Sequence, residues 1–134
     1  MIDAVEFLTA AEHLLNQRIG ISLPAYFLFG RAIELTLKAF LLHHGLSIEK
    51  LASKQQFGHS LEKLWKGAVK YGLNQDVQFG TPEEGAIELL SKEYYDTRLT
   101  YRDSGGTYYL PNIAGTEDVA RRLIGTVRKI VAPM

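Results

Sequence analysis

Residues 23–42 read LPAYFLFGRAIELTLKAFLL, and this stretch decides the fold. Pro24 suits the first turn of a helix, where its missing N–H has no partner to lose. Gly45 suits the position just past a helix end, where a left-handed backbone is wanted. Between them Phe27, Leu28, Phe29, Ile33, Leu35, Leu37, Phe40, Leu41 and Leu42 leave almost no polar side. The length invites a membrane reading. But Arg31, Glu34 and Lys38 lie inside it, and each charge at a bilayer centre would cost about 2.5–3.5 kcal/mol. The stretch is therefore predicted as the central helix of a soluble bundle, from about Pro24 to His44, walled in by other helices.

Working outward, Ile2, Val5, Leu8, Ala11, Leu15 and Ile19 recur three or four apart and predict a helix from about Asp3 to Arg18, stopped by Gly20. Ser47–Ser53 reads as a turn or short helix. Ser60–Tyr71 reads as a third main helix, with Leu61, Leu64, Trp65 and Ala68 inward, Lys63, Lys66 and Lys70 outward, and Gly72 as its stop. Residues 74–80 read as a loop. Thr81-Pro82-Glu83-Glu84 matches a capping box in which the Thr81 hydroxyl and the Glu84 carboxylate serve free backbone N–H groups. The helix it opens is predicted to reach Leu99–Arg102, with Ile87, Leu90, Tyr94 and Tyr101 inward. Around Asp103-Ser104-Gly105-Gly106, residues 99–110 read either as a short hairpin or as a frayed helix end followed by loop. The last helix is predicted from Thr116, with Glu117 and Asp118 against its positive end and Val119, Leu123, Val127 and Ile130 inward. The expectation is one all-α domain over residues 1–134, an up-and-down bundle of about five helices.

The 134 residues are 46% apolar and 22% charged, which suits one globular domain and not a disordered chain. With no cysteine, disulfides, thiolate zinc sites and cysteine catalysis are excluded. The N-terminus, Met1-Ile2-Asp3-Ala4-Val5-Glu6, lacks the basic region of a secretory signal, so a cytoplasmic location is expected. Fifteen basic and fifteen acidic residues cancel, which argues against a protein that coats nucleic acid by bulk charge. The cancellation is blockwise: residues 31–73 carry net +4 and residues 74–103 net −4. A local anion site thus stays open.

Three constellations can carry chemistry. Arg31, Glu34 and Lys38 share one stripe of the central helix. The stripe either faces solvent, with Glu34 bridging two cations, or lines a groove between helices. His59, in Gly58-His59-Ser60 at a helix start, either orients the loop or acts as proton carrier or phosphate contact. Either His59 or Ser60 is a candidate cap. Tyr94 to Arg102 interleaves aromatics with Arg98 and Arg102. Its Tyr101, Arg98 and Arg102 either pack and pair internally or stack on bases and hold phosphates. The four histidines have no metal-ligand spacing, and there is no Walker loop, G-x-S-x-G or G-x-G-x-x-G, so no metal or cofactor is expected.

The blocks Glu34-Leu35-Thr36-Leu37-Lys38-Ala39-Phe40-Leu41 and Gly58-His59-Ser60-Leu61-Glu62-Lys63-Leu64 occur in the order seen in the HEPN domain family. There, a helix of the form E-x-x-x-K-A-x-L precedes a G-H-[DS]-L-x-x-L helix start. The chain resembles this family from about Asp3 to Arg102. The resemblance implies a helical bundle, commonly dimeric, and carries over Glu34, Lys38 and His59; Arg31, Arg98, Tyr101 and Arg102 come from the residues themselves. Some members are metal-independent ribonucleases with an R-x(4–6)-H motif. That motif is missing here, since no histidine follows Arg18, Arg31 or Arg98 at that spacing. The resemblance therefore implies a non-ribonuclease accessory module. Its expected ligand is a nucleotide, RNA or a protein such as a minimal nucleotidyltransferase in a toxin–antitoxin-like pair. The alternative is a degenerate ribonuclease using His59 with Arg98 and Arg102.

Overall fold

The computed structural model describes residues 1–17, 22–53, 56–95 and 110–132. Among them are seven helices and no strand: α1 (Ile2–Gln17), α2 (Leu23–His43), α3 (Ile48–Ala52), α4 (Leu61–Lys70), α5 (Leu73–Val77), α6 (Thr81–Tyr95) and α7 (Ile113–Val131). The chain is the all-α bundle expected, with two more helices than the five predicted. The 99–110 segment, read as hairpin or loop, falls outside the described residues except for Leu110.

The α2 helix is the axis. It packs against α1, α4, α6 and α7, as its nearly unbroken apolar surface requires. Phe29, Ile33, Leu37, Phe40 and Leu41 are buried. Most of its apolar surface is thus covered within the bundle; Phe27, Leu28, Leu35 and Ala39 are half-buried and Leu42 near its end is half-exposed. At its start the Ser22 hydroxyl accepts from the Ala25 N–H at 3.2 Å. At its end Gly45 takes φ +96°, and the Gly45 and Leu46 N–H groups return to the carbonyls of Leu42 and Leu41. This left-handed turn satisfies carbonyls the helix would otherwise leave open.

Four local expectations need correction. First, α5 occupies residues read as loop; left-handed Gly72 and Gln78 bracket it, and Leu73 and Val77 are buried. A five-residue helix shows too little periodicity to be read. Second, the capping box before α6 is shifted by one residue. Glu83 accepts from the Gly80 N–H at 2.6 Å, which frees Glu84 to accept from the Trp65 indole N–H at 2.8 Å. Third, α7 starts at Ile113, capped by the Asn112 side chain, which accepts from Gly115 N–H. The true cap lies one turn before the acidic pair that suggested Thr116. Fourth, Ile2 is 76% exposed, while Ala4, two residues on and so about 200° round α1, is buried. A helix this near its own end escapes cover on one side.

No helix among the described residues is long and apolar enough to cross a membrane.

Candidate functional site

Glu34 sits midway along α2 with its side chain fully buried, and four donors converge on it. Its Oε1 accepts from Arg31 Nη1 at 3.1 Å and from the Tyr94 hydroxyl at 2.5 Å. Its Oε2 accepts from Lys38 Nζ at 2.7 Å and from His59 Nδ1 at 2.7 Å. Arg31 and Lys38 stand one turn before and after Glu34 on the same helix face. Tyr94 comes from the C-terminal turn of α6 and His59 from the loop before α4. One carboxylate therefore joins three parts of the fold.

The charged stripe is neither of its simplest forms. Glu34 exposes nothing, whereas the side chains of Arg31, Lys38 and His59 are 34%, 20% and 67% exposed. The anion is inside and the donors reach from it towards water. Burial pushes the Glu34 carboxyl up, but the hydrogen bonds from Lys38, Tyr94 and His59, with the charge on Lys38, hold it below its ordinary value. The Tyr94 phenol is pushed well up, by burial first and by the Glu34 charge second, so it remains a donor. For Arg31, burial opposes the charge but Glu34 beside it prevails, and the guanidinium stays charged.

Local structure places His59. Gly58 takes φ +52° and its N–H donates to the Ser53 carbonyl at 2.8 Å. Ser60, not His59, caps α4 by accepting from the Lys63 N–H at 3.2 Å. Ser91 of α6 serves a second free donor of that helix start, the Glu62 N–H, at 3.0 Å. An ionised carboxylate only accepts, so His59 Nδ1 carries the hydrogen in its bond to Glu34. In the neutral ring Nε2 then bears the lone pair, on a side chain largely in water. With the ring neutral that nitrogen accepts; with the ring protonated it donates a hydrogen bond.

Of the residues read from the sequence, Arg31, Glu34, Lys38 and His59 meet. Arg98, Tyr101 and Arg102 lie outside the described residues. Two contributors were missed. Tyr94 was read as core, which its burial fits, but its hydroxyl is also a donor to the site. Gly30 permits this: a Cβ there would stand 2.7 Å from Tyr94 Cδ1. The signal available was a glycine inside an otherwise strong helix, which often marks a close approach. Gly30→Ala gains about 1 kcal/mol of helix propensity but overpacks the Tyr94 ring, at about 1–3 kcal/mol. A net loss of up to about 2 kcal/mol is expected in urea unfolding. Combining it with Tyr94→Phe should cost less than the sum of the two, because both act on one hydrogen bond.

A family model, that of the HEPN domain, matches residues 2–134. No curated protein and no solved structure matches the chain.

Proposed function

Since this chain belongs to the HEPN domain family, we propose that it is a binding module of that family, holding a phosphate group of a nucleotide or RNA against Arg31, Lys38 and His59. The observation that carries the reading is the buried Glu34 carboxylate with its four donors. It fixes two cations and an imidazole in advance, so a ligand need not order them. One negative charge against two leaves the cluster positive. Among the described residues the Arg31 guanidinium gives one of its five N–H groups to Glu34, and the Lys38 ammonium one of its three. The remainder suits phosphate oxygens.

Fluorescence anisotropy with labelled ATP and a labelled 12-nucleotide RNA tests this. The Arg31→Ala/Lys38→Ala variant, checked for helicity by circular dichroism, is expected to bind at least about tenfold more weakly, as loss of a charged hydrogen bond implies. Unchanged binding, or none in the wild type, overturns the reading.

A second reading rests on the Glu34–His59 bond. It leaves His59 Nε2 free to act as general base on a ribose hydroxyl, with Arg98 and Arg102 as candidate phosphate contacts. An RNA cleavage assay decides it; equal turnover in wild type and His59→Ala removes it.

The module is also proposed to act in the cytoplasm as a homodimer, and beside a nucleotidyltransferase-type protein. Leu35, Ala39, half-exposed Leu42 and exposed Ile48 line one open cleft, an apolar face that an interface of this kind would cover. A monomeric mass by light scattering at micromolar concentration would exclude the homodimer.

A further inference from the structure

We propose that the cleft between α3 and α4 is a docking track for a single nucleic-acid strand, its phosphates on Lys50, Lys63, Lys66 and Lys70 and its bases against Phe57 and Tyr71. The track extends the reading above, on which it rests for its end point at His59.

The cleft has a volume of about 530 Å³ and an open mouth, and none of the described residues that line it is acidic. Lys50 stands on the α3 side and the other three lysines on α4. Lys66 bridges to Glu62 at 3.0 Å; Lys50, Lys63 and Lys70 have no carboxylate at ion-pair distance among the described residues. Uncompensated cations repel one another, and a polyanion relieves this.

The lysines lie in a row rather than a ring. Residues 63, 66 and 70 step by three and four, so three lysines line one face of α4, and His59 lies in the loop just before that helix. From Lys63 to Lys70 the helix rises about 10 Å. A row of that length fits an extended chain of phosphates better than one compact phosphate group.

The rings argue for unpaired bases. Tyr71 is 45% exposed and stands against His44, with ring centroids 5.4 Å apart. Phe57 lies across Gly67, where a Cβ would come within 2.7 Å of the ring, so that wall of the cleft is aromatic. Bases stack on such rings only when they are out of a duplex. An acidic protein surface would use the lysines but leave the rings idle.

The test uses the full chain and a labelled oligoadenylate of 12 nucleotides, followed by anisotropy across a salt series. Lys63→Ala/Lys66→Ala/Lys70→Ala changes only exposed residues. It should weaken binding at least tenfold and flatten the log–log salt slope by about 2, at roughly 0.7 per phosphate contact. Tyr71→Ala should lose about fivefold or more with the slope unchanged. Glu62→Gln releases Lys66 and should tighten binding, a gain that misfolding cannot mimic. An unchanged affinity in the triple variant overturns the track. So does equal competition by duplex RNA, by free ATP or by polyglutamate. If the triple variant loses the strand and Arg31→Ala/Lys38→Ala keeps it, the track stands and the Glu34 reading falls for RNA, its nucleotide half being decided by labelled ATP. The reverse result spares that reading and removes the track.

Discussion

Glu34→Ala is expected to lower the unfolding free energy by about 3 kcal/mol in urea at pH 7. Removing one partner of a buried ion pair typically costs about 3–5 kcal/mol, because the remaining charge stays unpaired. Here Arg31 and His59 are exposed enough to regain water, which draws the figure to the low end. The Tyr94 hydroxyl is buried and cannot, so it adds the penalty of an unsatisfied donor. Against a total of about 5–15 kcal/mol for an ordinary domain, the loss is large. A change below about 1 kcal/mol would mean that water or other groups replace the carboxylate. The same residue gives a pH signature. Its folded-state value lies below its unfolded one, about 4.3. The stabilisation is therefore complete above the unfolded value and is lost as pH falls through the folded one. Wild type should lose stability on acidification in that window more steeply than Glu34→Gln, which has no proton to take up there.

Trp65→Ala is expected to cost about 3–5 kcal/mol, the range for deleting a large buried aromatic. Trp65 is 2% exposed, stands 5.4 Å from the Phe79 ring, and donates its indole N–H to Glu84 at the start of α6. Two contributions can be separated. Trp65→Phe keeps most of the apolar contact but strips Glu84 of its donor, and should cost about 1 kcal/mol beyond the lost volume. Glu84→Gln keeps an acceptor oxygen and should cost less. Trp65 is the only tryptophan in the chain, so these unfolding curves need circular dichroism rather than fluorescence. If Trp65→Phe and Trp65→Ala are equally harmful, the hydrogen bond and not the packing holds α4 to α6.

The central helix could be read from the sequence because its evidence is local: Pro24 and Gly45 at its ends and an apolar surface between. The short α5 could not. Its existence rests on Gly72 and Gln78 in left-handed conformations and on two buried side chains, all consequences of packing. At α6 the motif was right and its register wrong. Pro82-Glu83-Glu84 offers two carboxylates for one capping role, and the choice falls to Trp65, which lies in another helix and takes Glu84. The site was half legible for the same reason. Arg31, Glu34 and Lys38 are neighbours on one helix and declare themselves by spacing. Tyr94 lies 60 positions from Glu34, and no local rule joins them. His59 was singled out for its place at a helix start, but the carboxylate that orients it was not evident, because that bond is tertiary.

The packing of α7 on both α1 and α2 sets an order on synthesis. Arg121 of α7 reaches Glu12 of α1 across 109 positions, and Ile124 closes a small buried cluster with Ala4 and Ala32. On the ribosome α1 and α2 emerge early and can pair at once. The surface of α2 that α7 covers must wait until nearly all of the described chain has been made. During that interval the growing chain shows an apolar stripe of its own central helix. This nascent form is the one most exposed to aggregation and to chaperone capture.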